Sequence, residues 1–224
     1  MKTIQLISKG LAVSLFFFLT LFISAGHINY WQGWLYVSMN LFMTLMTAIA
    51  SIGNTELTKE RLRPGEGTKK WDKLLLGISA LIYLIMLIVS GLDSGRFHWS
   101  PNLPWSLYIL AIILTLSGHS FFLIAKRQNK FFSSVVRIQT ERGHTVCDTG
   151  LYKMIRHPGY FGMIISTLGF PLLLGSLWSI IPVILSISVL VIRTYLEDKT
   201  LNNELTGYKE YSDKIRYKLI PKIW

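Results

Sequence analysis

The sequence predicts an all-α fold, a polytopic membrane helix bundle with a polar site at one membrane face. Three observations predict it. Of 224 residues, 51% are hydrophobic and only 16% are charged. The mean hydropathy is +0.42, too apolar for an ordinary soluble domain. The apolar residues gather into uninterrupted runs that approach or exceed the roughly 20 residues needed to cross a bilayer. The 23 Lys and Arg, against 12 Asp and Glu, give a net charge of +11 and collect in alternate loops between those runs, as cytoplasmic loops do. Topology and anionic lipid headgroups therefore account for the basic balance, and nucleic acid is not an expected partner. The single cysteine, Cys147, excludes an intramolecular disulfide and a cysteine-rich zinc site; no metal is expected.

Taken in order, Lys2 and Lys9 precede the run Leu11 to Ala25, which has the outline of a signal peptide. No small-x-small cleavage pattern leads into a soluble domain and further runs follow at once, so it reads as a retained first helix that includes Ile4 to Ile7. Trp31 to Ile52 is the second span, with Trp31, Trp34 and Tyr36 placed as an interfacial aromatic belt. The next loop carries Lys59, Arg61, Arg63, Lys69, Lys70 and Lys73 and reads as cytoplasmic; Pro64, Gly65 and Gly67 make it a turn. Leu74 to Leu92 is the third span, and the nearly charge-balanced GLDSGRFHWSPNLPW is the outside loop. Leu103 to Ala125 is the fourth. Lys126, Arg127, Lys130, Arg137 and Arg142 then return the chain to the cytoplasm.

Phe131 to Gln139 reads either as an interfacial segment with Arg137 facing water or as part of the core. Phe161 to Leu174 and Leu177 to Ile192 are short for spans and are interrupted by Pro171, Gly175 and Pro182. They predict a C-terminal helical hairpin or two tilted spans. The tail from Glu197 to Trp224 is polar and partly helical. The expectation is four clear spans plus the hairpin, five to six in all, with both termini cytoplasmic. One membrane domain covers 1–224: residues 1–126 are scaffold and 127–224 carry the site.

Gly143 to Gly162 (GHTVCDTGLYKMIRHPGYFG) is the polar stretch between the apolar regions. Pro158 biases His157 away from helical angles and is itself favoured in a first helical turn. Arg156-His157-Pro158 is therefore a predicted loop-to-helix junction. The free N–H groups at such a start suit an anion. Gly159 and Gly162 leave room for a ligand or another helix. Arg193 and Glu197 stand at i and i+4 on one helix face. They read either as an intrahelical salt bridge at the membrane boundary or as a pair facing a ligand, Arg193 toward an anion and Glu197 toward a cationic or hydroxylated group.

The segments HTVCDTGLYKMIRHPGYFG, RTYLED and GYKEYSDKIRYKLIP occur in that order. In sequence and spacing they resemble the isoprenylcysteine carboxyl methyltransferase family of integral membrane enzymes, over about the last ninety residues, and bacterial members most. The resemblance implies S-adenosyl-L-methionine as methyl donor. It places His144, Thr145, Val146, Cys147, Tyr152, His157, Pro158, Gly159, Tyr160 and Glu197 against that cofactor. It implies Arg193 and Glu197 as catalytic residues, with Arg193 meeting the substrate carboxylate. Cys147 stands where the family has valine, Asp198 where it has a second glutamate, and Arg137 where eukaryotic members have a cofactor-contacting glutamine. The implied partners are membrane lipids and a lipophilic or small-molecule methyl acceptor. Phospholipid N-methylation and thiol S-methylation are alternatives, because related enzymes share the cofactor half. Sterol-reductase-like proteins using NADPH carry a similar R-H-P-x-Y block, but with an asparagine after the proline where this chain has Gly159. A non-enzymatic sensor or chaperone on the same fold is a further alternative.

Overall fold

A computed structural model describes residues 2–224, for residues 2, 3, 5–7 and 9 the backbone alone. The side chains of Lys2 and Lys9, read above as a basic start, lie outside the described residues. The described chain is a bundle of helices: α1 (Lys2–Ala25), α2 (Trp31–Ile49), α3 (Thr55–Leu62), α4 (Lys70–Ser90), α5 (Trp105–Gln128), α6 (Pro158–Leu173), α7 (Ile180–Glu204) and α8 (Tyr208–Lys214). Among the described residues three helices are long and apolar enough to cross a membrane: α4 with its continuation to Phe97, α5 and α7. Two shorter apolar helices, Gly10–Ala25 and Pro158–Leu173, complete the hydrophobic set. Gln32, Asn40, Thr44 and Thr47 dilute the hydropathy of α2. Large apolar side chains stay on the outside of these helices, among them Leu81, Ile109, Ile113 and Ile184. A bundle dissolved in lipid has that surface, and the protein is an integral membrane protein.

The chain passes repeatedly between two ends of the bundle. At one end the turns 26–30, 91–104 and 174–179 meet. Tyr30 donates its hydroxyl proton to Leu174 O (2.6 Å), and His27 Nε2 bonds Gly95 O (2.8 Å). The expected outside loop begins as helix: Gly91–Phe97 continues α4 as a π-helical turn. Two glycines allow it, since a Cβ at Gly91 would fall 2.6 Å from Leu21 O and one at Gly95 2.6 Å from Ala25 Cβ. Nearby, Leu21, Phe22, Tyr30, Met86, Leu87, Phe170 and Leu174 form the main apolar core.

At the other end three chain segments converge: the turn carrying α3, the irregular stretch 129–157, and the tail after α7. Lys69 N donates to Val136 O (3.1 Å), Lys69 Nζ to Glu204 (2.7 Å), and Arg156 N to Tyr217 O (2.9 Å). The two basic loops and the tail thus share one end. The segment 161–192 crosses the full height of the bundle: α6 begins at the convergent end and reaches Leu174 at the other, and α7 returns. Pro182 lies in the first turn of α7, where its missing N–H costs nothing, and Pro171 lies inside α6 but only two residues from its end, so the bond it removes belongs to the last turn and the hairpin is not broken. α7 runs on to Glu204 and carries into the helix residues expected in the tail.

The seam between α5 and α6 is unusually close. A Cβ at Gly162 would fall 2.5 Å from Gly118 O and 2.7 Å from Phe122 N. Gly162 therefore serves the approach of another helix. Gly159 admits an aromatic ring, because its Cβ would lie 2.6 Å from the Phe132 ring.

Candidate functional site

Where the three segments converge, they enclose a cavity of about 290 Å³, near the lower end of the ~300–1,000 Å³ usual for small-molecule sites. His144, Thr145, Val146, Cys147, Tyr152, His157, Gly159, Tyr160, Arg193 and Glu197 all line it. Of the residues expected at the site only Pro158 stands back; it is buried as the first residue of α6. Arg61, Arg137, Tyr208 and Tyr211 join the wall, and Leu76, Phe122, Met163, Leu201 and Leu205 give it an apolar lining.

The wall is built from local chemistry. His157 has φ −126° and ψ 60°, the extended bias imposed by the following proline. Phe161 N to His157 O (3.2 Å) is the first bond of α6. The N–H groups of Gly159 and Tyr160, which precede that bond, have no partner within the helix. The 144–147 segment is held by neighbours: His144 Nδ1 accepts from Gln139 N (3.2 Å), and Cys147 Sγ donates to Gln128 O (3.5 Å), while the Gln128 side-chain Oε1 accepts from Leu151 N (2.8 Å) farther along. Gly150, at φ +56°, lies against that Gln128 side chain. Burial, followed by the positive charges of Arg142 and Arg137, lowers the His144 pKa to about 4. His144 is a neutral acceptor at physiological pH.

Four buried or half-buried clusters fix the charges. First, the wholly buried Asp72 accepts from Arg193 Nε (2.7 Å) and Nη2 (3.3 Å), and from Val136 N (2.8 Å). Arg193 also lies over the Tyr160 ring at 5.4 Å. The intrahelical Arg193–Glu197 bridge does not form: the acid partner of Arg193 is 121 residues away in α4. Second, the Tyr160 hydroxyl donates to Glu197 Oε2, which leaves Glu197 half-buried on the cavity wall with no basic partner among the described residues. Third, Asp198 accepts from Arg156 (2.8 and 2.9 Å), Tyr208 (3.0 Å) and His157 Nε2 (3.2 Å). Arg156 further donates to the carbonyls of Ser212, Ile215 and Arg216. It therefore ties the tail to α7.

Fourth, Arg137 pairs with Glu60 (2.8 Å) and Glu141 (2.5 Å). Phe131 to Gln139 belongs to the core: Phe131, Val136, Arg137 and Gln139 are buried, and the water-facing placement of Arg137 is overturned by its two acids. The Glu60 and Glu141 bonds hold the Arg137 pKa above its ordinary value. Burial opposes ionisation of Glu60, but the bonds from Arg137 and Ser133 prevail and lower its pKa. Among the described residues no group of three or more His, Cys, Asp or Glu could hold a metal ion.

Sequence reasoning missed Asp72 and Arg61 as parts of this site, and it reached Asp198 and Tyr208 only as positions in matching segments, with no role. One further signal existed: Asp72 is the one acid in α4, at the edge of an apolar run. An acid there needs a partner.

A family model for isoprenylcysteine carboxyl methyltransferases matches residues 108–203. The match begins inside α5, well before the polar stretch, and ends before the GYKEYS block of α8. A search of curated proteins found no match.

Proposed function

We propose, from the match of residues 108–203 to the isoprenylcysteine carboxyl methyltransferase family model, that the protein is a membrane methyltransferase that uses S-adenosyl-L-methionine to methylate an isoprenylcysteine-like carboxylate at the cytoplasmic face. The acceptor is a lipophilic or small anion that enters from the bilayer side. The observation that carries this reading is the convergence of ten residues, from His144 through Glu197, on one cavity at the end of the bundle.

The cavity chemistry fits the donor. The half-buried Glu197 carboxylate, oriented by Tyr160, suits a hydroxyl or amine. The unpaired N–H groups of Gly159 and Tyr160 suit a carboxylate. Tyrosine faces suit a cationic centre, and Val146, Leu201 and Leu205 suit a flat apolar ring. When bound, the donor supplies an electrophilic methyl on sulfonium sulfur. Transfer to an oxygen nucleophile is an in-line displacement, so the residues here align and desolvate the partners. Asp198 holds His157 and Arg156 in place. Asp72 holds Arg193 beside Tyr160, which presents positive charge toward the acceptor and lets its anion approach.

Calorimetric titration of the detergent-solubilised chain with S-adenosylmethionine and S-adenosylhomocysteine tests the reading. Binding in the micromolar range, about −8 kcal/mol, is expected in the native chain. Glu197→Ala and His157→Ala should abolish it while membrane insertion is unchanged. Wild-type affinity in both variants would remove the site assignment.

A further inference from the structure

Four arginines line the cavity, and three of them are neutralised: Arg137 by Glu60 and Glu141, Arg156 by Asp198, and Arg193 by Asp72. Arg61 is the exception. Its Nη1 donates to two main-chain carbonyls, Phe132 O (3.3 Å) and Ser133 O (3.1 Å). Its guanidinium lies over the rings of Phe132 (5.4 Å) and Phe122 (5.7 Å). Among the described residues no carboxylate forms an ion pair with it. Resting on the methyltransferase reading above, we propose that Arg61 binds the anionic group of the methyl acceptor and sets the preference for an anionic over a neutral one.

A cation removed from water without a counter-charge is costly, and an anion entering beside it recovers much of that cost. Burial and the charge of Arg193 lower the Arg61 pKa to about 10, so it keeps its proton at neutral pH while gaining from any nearby anion. Its Nε and Nη2 carry no bond among the described residues, which leaves a two-pronged donor edge of the kind that grips a carboxylate. Its position is fixed without using that edge. The two carbonyls hold Nη1, the Phe122 and Phe132 rings pack together against one side of the guanidinium, and Ser134 Oγ donates to the Arg61 carbonyl (3.3 Å). The cavity wall also includes Leu76, Phe122 and Met163, an apolar surface suited to the stem of a lipophilic anion. Arg193 adds positive potential, but Asp72 already takes two of its donor groups. Arg61 is thus the main contact for the anion, and Arg193 is a supporting one.

The test uses the full chain loaded with S-adenosylhomocysteine and two probes: a farnesylcysteine derivative with its free carboxylate, and the same compound as the primary amide. The native chain should prefer the carboxylate by about tenfold or more, the scale of one charge-assisted hydrogen-bond pair. Arg61→Gln should erase the preference by weakening the carboxylate alone, and Arg61→Lys should keep part of it. A native chain that does not prefer the carboxylate overturns the proposal. So does an Arg61→Gln chain that keeps the preference, or that loses carboxylate and amide equally, as a merely structural clamp would. The methyltransferase reading fails by a different readout, the absence of S-adenosylhomocysteine binding in every form.

Discussion

Asp93 and Asp72 sit near opposite ends of one helical run, about 30 Å apart at 1.5 Å per residue, and both are wholly buried. Asp93 takes its bonds from neutral donors: Ser100 N (2.7 Å), Ser100 Oγ (2.6 Å), Ser176 Oγ (2.6 Å) and Trp178 N (3.4 Å). These donors close around it and pin the turns together. Asp72 instead takes a guanidinium and one N–H, beside a cavity whose wall carries four arginines and Glu197. The first cluster uses its carboxylate fully in holding the fold. The second leaves donor capacity and positive charge facing an open space. A buried acid alone therefore does not mark a site; surplus charge beside a cavity does.

The sharpest way to break this contrast is to remove each carboxylate in turn. Asp72→Ala strands a buried arginine and should cost about 3–5 kcal/mol, with acceptor use weakened as Arg193 loses its position. Asp93→Ala strands neutral donors and should cost somewhat less, roughly 2–4 kcal/mol. Thermal unfolding in detergent gives both costs, and titration with S-adenosylhomocysteine at a temperature where each variant is folded gives the second half of the contrast. Asp93→Ala should bind like the native chain. If it loses affinity, the two ends are not independent and the distinction drawn here collapses.

The glycine seams offer a smaller perturbation at each end. Gly91→Ala pushes against Leu21 O and Gly162→Ala against Gly118 O. Both contacts are with backbone that yields little, so each substitution should cost about 1–3 kcal/mol. Only Gly162→Ala should also reduce donor affinity, because α6 begins one turn earlier at the cavity. Equal loss of affinity in the two variants would mean that strain spreads along the whole bundle.

The sequence made the bundle legible through its apolar runs, because lipid imposes a length and a polarity on every crossing segment. The junction at His157-Pro158 was legible too, since proline constrains the residue before it and starts a helix. The partners were not. Arg193 and Asp72 are 121 residues apart, and Arg156 and Asp198 are 42 apart. An i, i+4 spacing suggested Glu197 to Arg193 because local geometry is all that spacing encodes. Arg61 was hidden among six cations of one loop. Its difference from its neighbours lies in what fails to reach it, which no local pattern records.

The gentlest probe of the contrast is pH, since the site end holds a titratable base that the Asp93 cluster lacks. His144 has a folded pKa of about 4 against an ordinary 6.5, so between those values the unfolded chain binds the additional proton. Stability should therefore be full above pH 6.5 and fall as the pH drops toward 4. The cause is local: burial first, then Arg142 and Arg137, with Glu141 opposing. The carboxylates of Glu60 and Glu141 are held below their ordinary 4.5 by Arg137. Their contribution is present above that value and is lost only as the pH falls further. The two windows can thus be separated. His144→Gln should make the fall of the thermal midpoint between pH 6.5 and 4.5 shallower and leave the steeper loss below it in place. A midpoint in the native chain that is already flat between pH 6.5 and 4.5 would mean that His144 is solvated, and that the 144–147 segment is not packed against the cavity as described.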